Sequence, residues 1–226
     1  MTNPAPPDKR HPLIAGYCRW RKRRWPAEAP VRQRLACEGQ RPGAVVVACA
    51  DSRADPAALF DTGPGEIFVL RNVAALVPPP EADGFHHGTS AGLEFAITRL
   101  GVPHLLVLGH TGCGGVSVAL DRLDECNRSD FIGPWVALLA EARTRIAARG
   151  SLSRPERQRA LEEEAVRLSV ARARAFPFVQ EAEAAGRLTV DGALFDIASG
   201  LLYWLDPHTG RFAPIEREAD SPALSR

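Results

Sequence analysis

Three short apolar runs interrupt the chain, and each ends abruptly in polar, reactive side chains. The first is Val45-Val46-Val47-Ala48, which leads into Cys49-Ala50-Asp51-Ser52-Arg53. The second, Ile67-Phe68-Val69-Leu70, follows Glu66 and closes in Arg71-Asn72. The third begins at His104, continues as Leu105-Leu106-Val107-Leu108, and leaves into the turn Gly109-His110-Thr111-Gly112-Cys113-Gly114-Gly115. Unbroken apolar runs of this length predict strands buried on both faces, as in a parallel sheet. Between them the period lengthens. Asp55-Pro56 supplies an N-cap followed by proline at the first helical position, for a short helix ending near Gly63-Pro64-Gly65. Ala74 to Asp83 is a proline-rich loop. Thr89 or Ser90 can cap a helix whose Leu93, Ile97 and Leu100 share a face and which Gly101 closes. Strand and helix in alternation predict an α/β fold: a mostly parallel central sheet flanked by helices.

The flanks extend this plan. Pro134 opens a helical run with Trp135, Leu138, Leu139 and Ile146 that stops near Gly150. Ser153 and Glu156 form a capping-box pattern for a long helix to about Arg174. Pro177 starts a shorter helix that Gly186 ends. The period then shortens to that of strands over Leu188–Ile197, Leu201–Leu205 and Arg211–Ile215, which extend one edge of the sheet. Residues 1–44 read as an N-terminal helical arm of the same unit, mobile to about Pro12. Within it Pro26 and Pro30 are expected to break the arm, with a short helix over 31–38 ending at Gly39. Residues 45–216 read as one domain and 217–226 as a disordered tail.

Composition narrows the function. The 226 residues are 45% hydrophobic, enough for one sizeable core. Twenty-eight basic and 27 acidic residues leave a net charge of +1, so no bulk field points to nucleic acid or a membrane. The basic stretch Tyr17–Trp25, with two tryptophans, reads as a helix packing on the body or on a partner subunit rather than as a nucleic-acid patch. The chain shows no membrane span and no signal peptide, which leads us to expect a cytoplasmic protein. Five cysteines (18, 37, 49, 113, 126) suit metal or catalysis better than a disulfide framework.

The candidate chemistry sits at the strand ends. His110 and Cys113, three apart in a glycine-rich turn that opens a helix, can both point at one atom. Glycine permits the tight backbone this requires, and the helix start favours Cys113 as thiolate. If the third strand lies beside the first, Cys49 joins them. Two thiolates and an imidazole suit zinc, with the fourth position left for water or substrate.

Over roughly Gln40 to Asp206 the sequence resembles the β-carbonic anhydrases. The most specific matches are Cys49-Ala50-Asp51-Ser52-Arg53 and Gly109-His110-Thr111-Gly112-Cys113-Gly114-Gly115. They are joined by Pro64-Gly65-Glu66, Arg71-Asn72, Gly92-Leu93-Glu94-Phe95 and Gly192–Ile197. The resemblance implies one zinc per chain on Cys49, His110 and Cys113, with Asp51 and Arg53 as the catalytic dyad. In the family's closed state Asp51 would itself coordinate the metal. Gln40 matches a glutamine that holds substrate, and Phe68, Val73, Phe95 and Gly114 match positions lining a small apolar pocket. Ala75 departs from the asparagine many members carry there. The implied reaction is reversible hydration of carbon dioxide to bicarbonate and a proton by a zinc-bound hydroxide, in a homodimer or dimer-built oligomer.

Two thiolate ligands cancel the zinc charge, so activity is expected to rise on the alkaline side of neutral. Two alternatives stay open. One is the same site acting on carbonyl sulfide or carbon disulfide. The other is a zinc-stabilised binding protein without catalysis, which leaves Asp51, Arg53 and Gln40 unexplained. His86 and His87 are candidates for a proton shuttle or for plain loop residues. Asp55 reads as a helix cap, and Cys18, Cys37 and Cys126 as structural thiols.

Overall fold

The computed structural model describes residues 11–81, 87–121 and 131–215. His86, Cys126 and the tail 217–226 lie outside these residues. The chain divides into two compact units, Met1–Gln40 and Arg41–Arg226.

The first unit holds α1 (Pro12–Arg23) and α2 (Trp25–Glu38). The prolines do not break it as expected. Pro26 sits in the first turn of α2, where its missing N–H costs nothing, and Pro30 lies inside the same helix. The basic aromatic stretch folds on itself. Trp20 lies between Tyr17 and Trp25, with ring centroids 5.9 and 5.5 Å away. The Arg21 and Arg32 guanidinium groups stand over Trp25 and Trp20. Cys18 and Cys37 are exposed, so neither is the structural thiol expected.

The second unit is built on a six-stranded sheet in the order β2-β1-β3-β4-β5-β6. The strands are β1 (Ala44–Cys49), β2 (Ile67–Asn72), β3 (His104–His110), β4 (Thr189–Phe195), β5 (Leu202–Leu205) and β6 (Phe212–Pro214). The first four pair in parallel, and the last two are antiparallel additions at one edge. β2 is the opposite edge and only half-buried, not a fully buried strand, because one side has no neighbour. From β1 the chain moves to β2 on one side, then to β3 on the other. The carboxyl ends of β1 and β3 therefore flank the point where the strand order reverses, which is where open α/β sheets bind ligands.

β3 runs two residues further than its apolar core, through Gly109 and His110, which pair with Leu194 and Phe195. Gly109 can stay in the sheet because it lacks a Cβ, which would collide with Val166. His110 is thus carried on a strand, not on the turn.

The helices are α3 (Pro56–Leu59), α4 (Gly88–Glu94), α5 (Gly114–Asp121), α6 (Ile132–Val136), α7 (Ala140–Ala147), α8 (Arg154–Arg174) and α9 (Pro177–Ala184). Asp55 caps α3, accepting from the amides of Ala57 and Ala58. The capping box of Ser153 and Glu156 opens α8. For α4 the cap position is His87, not Thr89 or Ser90; Thr89 instead accepts a hydrogen bond from the Asn72 side chain. α4 continues as a π-turn over Phe95–Arg99.

One face of the sheet (Val45, Val47, Leu105, Val107) packs under Val166 and Val170 of α8. A second cluster lies under the carboxyl ends of β1 and β3. There Cys49, Leu76, Cys113 and Val116 meet Leu139, Ile146 and Leu161. Burial of one such aliphatic side chain contributes about 1.5–3 kcal/mol. The strand ends therefore have a rigid apolar floor.

Candidate metal centre

β1 ends in Cys49 and β3 in His110, and pairing of the two strands brings their ends side by side. Gly112, in the left-handed region at φ 66°, turns the chain so that Cys113 faces back to the same point. The ligand-capable atoms of Cys49, His110 and Cys113 all lie within 4.8 Å of one another, and all three residues are buried. The two sulfurs are 3.9 Å apart.

His110 is 2% exposed. Its Nδ1 lies 3.0 Å from the Thr111 carbonyl oxygen, which can only accept, so Nδ1 carries the proton. Nε2 then presents a lone pair and has no hydrogen-bond partner among the described residues. A buried ring nitrogen is rarely left so. The Asp51 carboxylate Oδ2 lies 4.0 Å away. An orphaned imidazole lone pair beside two thiols fits zinc. Tetrahedral coordination with bonds of about 2.3 Å separates two sulfurs by roughly 3.8 Å.

The sulfurs are electrostatically unequal. A hydrogen bond from Cys113 pushes Cys49 down to about 4, against the opposing effect of burial. Holding that bond to Cys49, together with burial, pushes Cys113 up. Burial favours the neutral form of His110, but the Cys49 sulfur, the Thr111 carbonyl and the charge of Asp51 outweigh it and raise its pKa.

Asp51 and Arg53 are paired at the outer rim. Arg53 Nε donates to Asp51 Oδ1 at 3.0 Å and Nη2 to Oδ2 at 2.6 Å. The Arg53 backbone N–H adds a third bond to Oδ1. These bonds, led by the guanidinium, hold the Asp51 carboxyl well below the usual carboxylate range. Arg53 also donates to the Gly112 carbonyl, which ties the two loops together.

Around these groups stand residues that motif reading did not assign. Arg71 donates to the carbonyls of Cys49 (2.9 Å) and Asp51 (2.7 Å) and to the Asp55 carboxylate (2.6 Å), so one side chain shapes the whole loop after β1. Asn72 closes the next turn by bonding both backbone groups of Leu76. Inside that turn Ala74 and Ala75 take left-handed φ of 67° and 54°. Trp135 Nε1 holds it from outside, donating to the Val73 carbonyl at 2.8 Å. Glu162, buried on α8, accepts from the Cys113 amide. A charged residue one turn before Val166 on the core-facing stripe of α8 was the signal that could have revealed it.

The remaining expected residues are distributed as follows. Phe68 and Phe95 stack with centroids 6.0 Å apart. Val73 and Phe95 are exposed, and Gly114 begins α5 next to Cys113. Gln40 is the last residue of the first unit.

The chain is similar in sequence and fold to known proteins. Residues 44–202 match the family model described as carbonic anhydrase. A carbonic anhydrase of Pseudomonas aeruginosa is 32% identical over 217 residues, covering 94% of each chain. A tetrameric β-carbonic anhydrase from Sordaria macrospora has a TM-score of 0.75 at 27% identity, covering 85% of this chain and 94% of that one. The β-carbonic anhydrase CcaA shares the fold with a TM-score of 0.84 at 22% identity, covering 91% of each chain.

Proposed function

Because the chain belongs to the β-carbonic anhydrase family, an enzyme family, we propose that it hydrates carbon dioxide reversibly to bicarbonate and a proton at the Cys49–His110–Cys113 centre. The observation that carries this reading is the buried His110 Nε2, without a partner among the described residues, set between two thiols and beside an ionised carboxylate.

Cys49, His110 and Cys113 would hold zinc, one per chain, which when bound supplies a Lewis acid that ionises water near neutral pH. Asp51, kept ionised by Arg53, accepts a hydrogen bond from the attacking water and orients its lone pair toward the carbon of carbon dioxide. Arg53 holds Asp51 bidentately, which favours the open arrangement in which the carboxylate stays off the metal. Phe68, Val73, Phe95 and Gly114 form the apolar wall against which carbon dioxide rests. The atoms balance: carbon dioxide gains one water oxygen, and the second proton of that water leaves to solvent.

The functional form is a homodimer or a dimer-built oligomer. The exposed apolar Val73 and Phe95 beside the site and the tetrameric Sordaria relative support this.

Stopped-flow hydration of carbon dioxide across pH, on protein of assayed zinc content, tests the reading. The expected result is one zinc per chain and turnover that rises on the alkaline side of neutral. Bound zinc without turnover at any pH overturns the catalytic reading, and protein that binds no zinc overturns the site itself.

A further inference from the structure

Glu162 is a carboxyl on the core side of α8, only 3% exposed, among positions otherwise filled by Leu161, Ala165, Val166 and Val170. Glutamate is rarely buried so fully unless it is paired. Among the described residues no cation forms an ion pair with it, although the charges of His110 and Arg159 act on it from further off. Its Oε1 accepts two hydrogen bonds, one from the Cys113 backbone N–H at 3.0 Å and one from Gln158 Nε2 at 2.6 Å. Gln158, one helical turn earlier, also donates to the Cys113 carbonyl at 3.1 Å. The two side chains are four residues apart and share a face of α8. Together they take both backbone polar groups of one residue in a loop 49 and 45 positions away in sequence.

A leucine at 162 would fill the same space and bury no polar group. The carboxyl is costly in place, because burial works against its charged form. Among the described residues its side-chain hydrogen bonds go to the Cys113 amide and to the glutamine that completes the bracket. We propose that Glu162 and Gln158 are positioning residues for the metal centre: they clamp the Cys113 backbone so that its sulfur is fixed on the point shared with Cys49 and His110. The inference rests on the metal-centre reading above. Cys113 follows Gly112 and precedes Gly114 and Gly115; the Ser117 amide of α5 also holds its carbonyl at 3.0 Å, so its N–H is the backbone group that depends on Glu162. The geometry calls for an acceptor at Glu162, not for a charge. A glutamine there can accept from both donors through its amide oxygen.

The test compares the zinc-loaded wild type with Glu162→Leu, Glu162→Gln and Gln158→Ala. Zinc release is timed by transfer to a chromogenic chelator, and the visible spectrum of each protein is recorded with cobalt in place of zinc. Glu162→Leu should release zinc at least about tenfold faster and change the cobalt–thiolate bands, because those bands report the sulfur's position. Glu162→Gln should stay near wild type in both, and Gln158→Ala should fall between. Wild-type release and spectrum in Glu162→Leu overturn the proposal, as does a Glu162→Gln variant that releases zinc as fast as Glu162→Leu. Where Glu162→Leu fails to fold, Gln158→Ala decides: faster release supports the clamp and unchanged release overturns it. Wild type that takes up no zinc would instead be a failure of the metal-centre reading, so the two failures are distinct.

Discussion

After β1 the chain turns outward. Arg53 is half exposed, Asp51 faces the rim, and Arg71 gathers the carbonyls of Cys49 and Asp51 from the next strand. After β3 the chain turns inward. Cys113 is buried, and both its backbone groups are taken by side chains of α8. The two loops leave the same sheet edge, yet one is held from a neighbouring strand and the other from a helix packed beneath. The difference suits two tasks. Excluding water around the thiols strengthens their interactions with a cation, and keeping the carboxylate at the rim lets it meet water and substrate.

The contrast can be broken first at the buried loop. Cys113→Ala should abolish zinc binding and carbon dioxide hydration together, measured as metal content and stopped-flow rate. Retention of one zinc per chain would mean that the buried loop is not the anchor.

The rim gives a different signature. Asp51→Asn should keep its zinc while hydration falls about a hundredfold, in the range of lost acid–base or orienting groups. Arg53 sets the pH behaviour of Asp51. The folded pKa of Asp51 is depressed, so the ion pair is present above the ordinary carboxylate range and is lost only as pH falls through the depressed value. Asp51 therefore stays ionised across neutral and alkaline pH, and Asp51→Asn should lower the plateau of the pH–rate curve. A plateau at the wild-type height would mean that Asp51 takes no part in the reaction.

Arg71→Met tests how the outward loop is held. It strands two carbonyls and the Asp55 carboxylate, and should cost about 1–3 kcal/mol in chemical denaturation. Trp135→Phe keeps the ring and loses one hydrogen bond to the Val73 carbonyl, so about 0.5–1.5 kcal/mol is expected. Ala75→Gly should act in the opposite sense, raising stability by at most about 1 kcal/mol, since glycine relieves the left-handed strain at this position. A loss of stability there would show that the alanine methyl's packing outweighs its strain.

Much of this was legible before any coordinates. The capping box at Ser153, the Asp55 cap and the parallel strands were readable because each depends on residues a few positions apart. The meeting of Cys49, His110 and Cys113 was inferable from polar groups at two strand ends, given adjacent strands. Arg71 and Asn72 were visible only as parts of a familiar pattern, without a task. Glu162 looked like one more charge in a helix rich in glutamate and arginine. Its burial depends on how α8 rotates against β3, and its place one turn before Val166 on the apolar stripe was a local hint of it. In the arm, a proline in the first turn, as at Pro26, does not end a helix, and α2 also runs on through Pro30.

Residue identity and spacing alone determined that strands and helices alternate and which side chains can bind a soft divalent cation, because these follow from local backbone preference and ligand chemistry. Only the tertiary structure decided that His110 Nε2 is left without a partner, that Arg53 grips Asp51 bidentately, and that Glu162 and Gln158 bracket Cys113. Those facts rest on burial and on contacts between distant segments. They are set when the strands pair and α8 closes over the sheet, and not before.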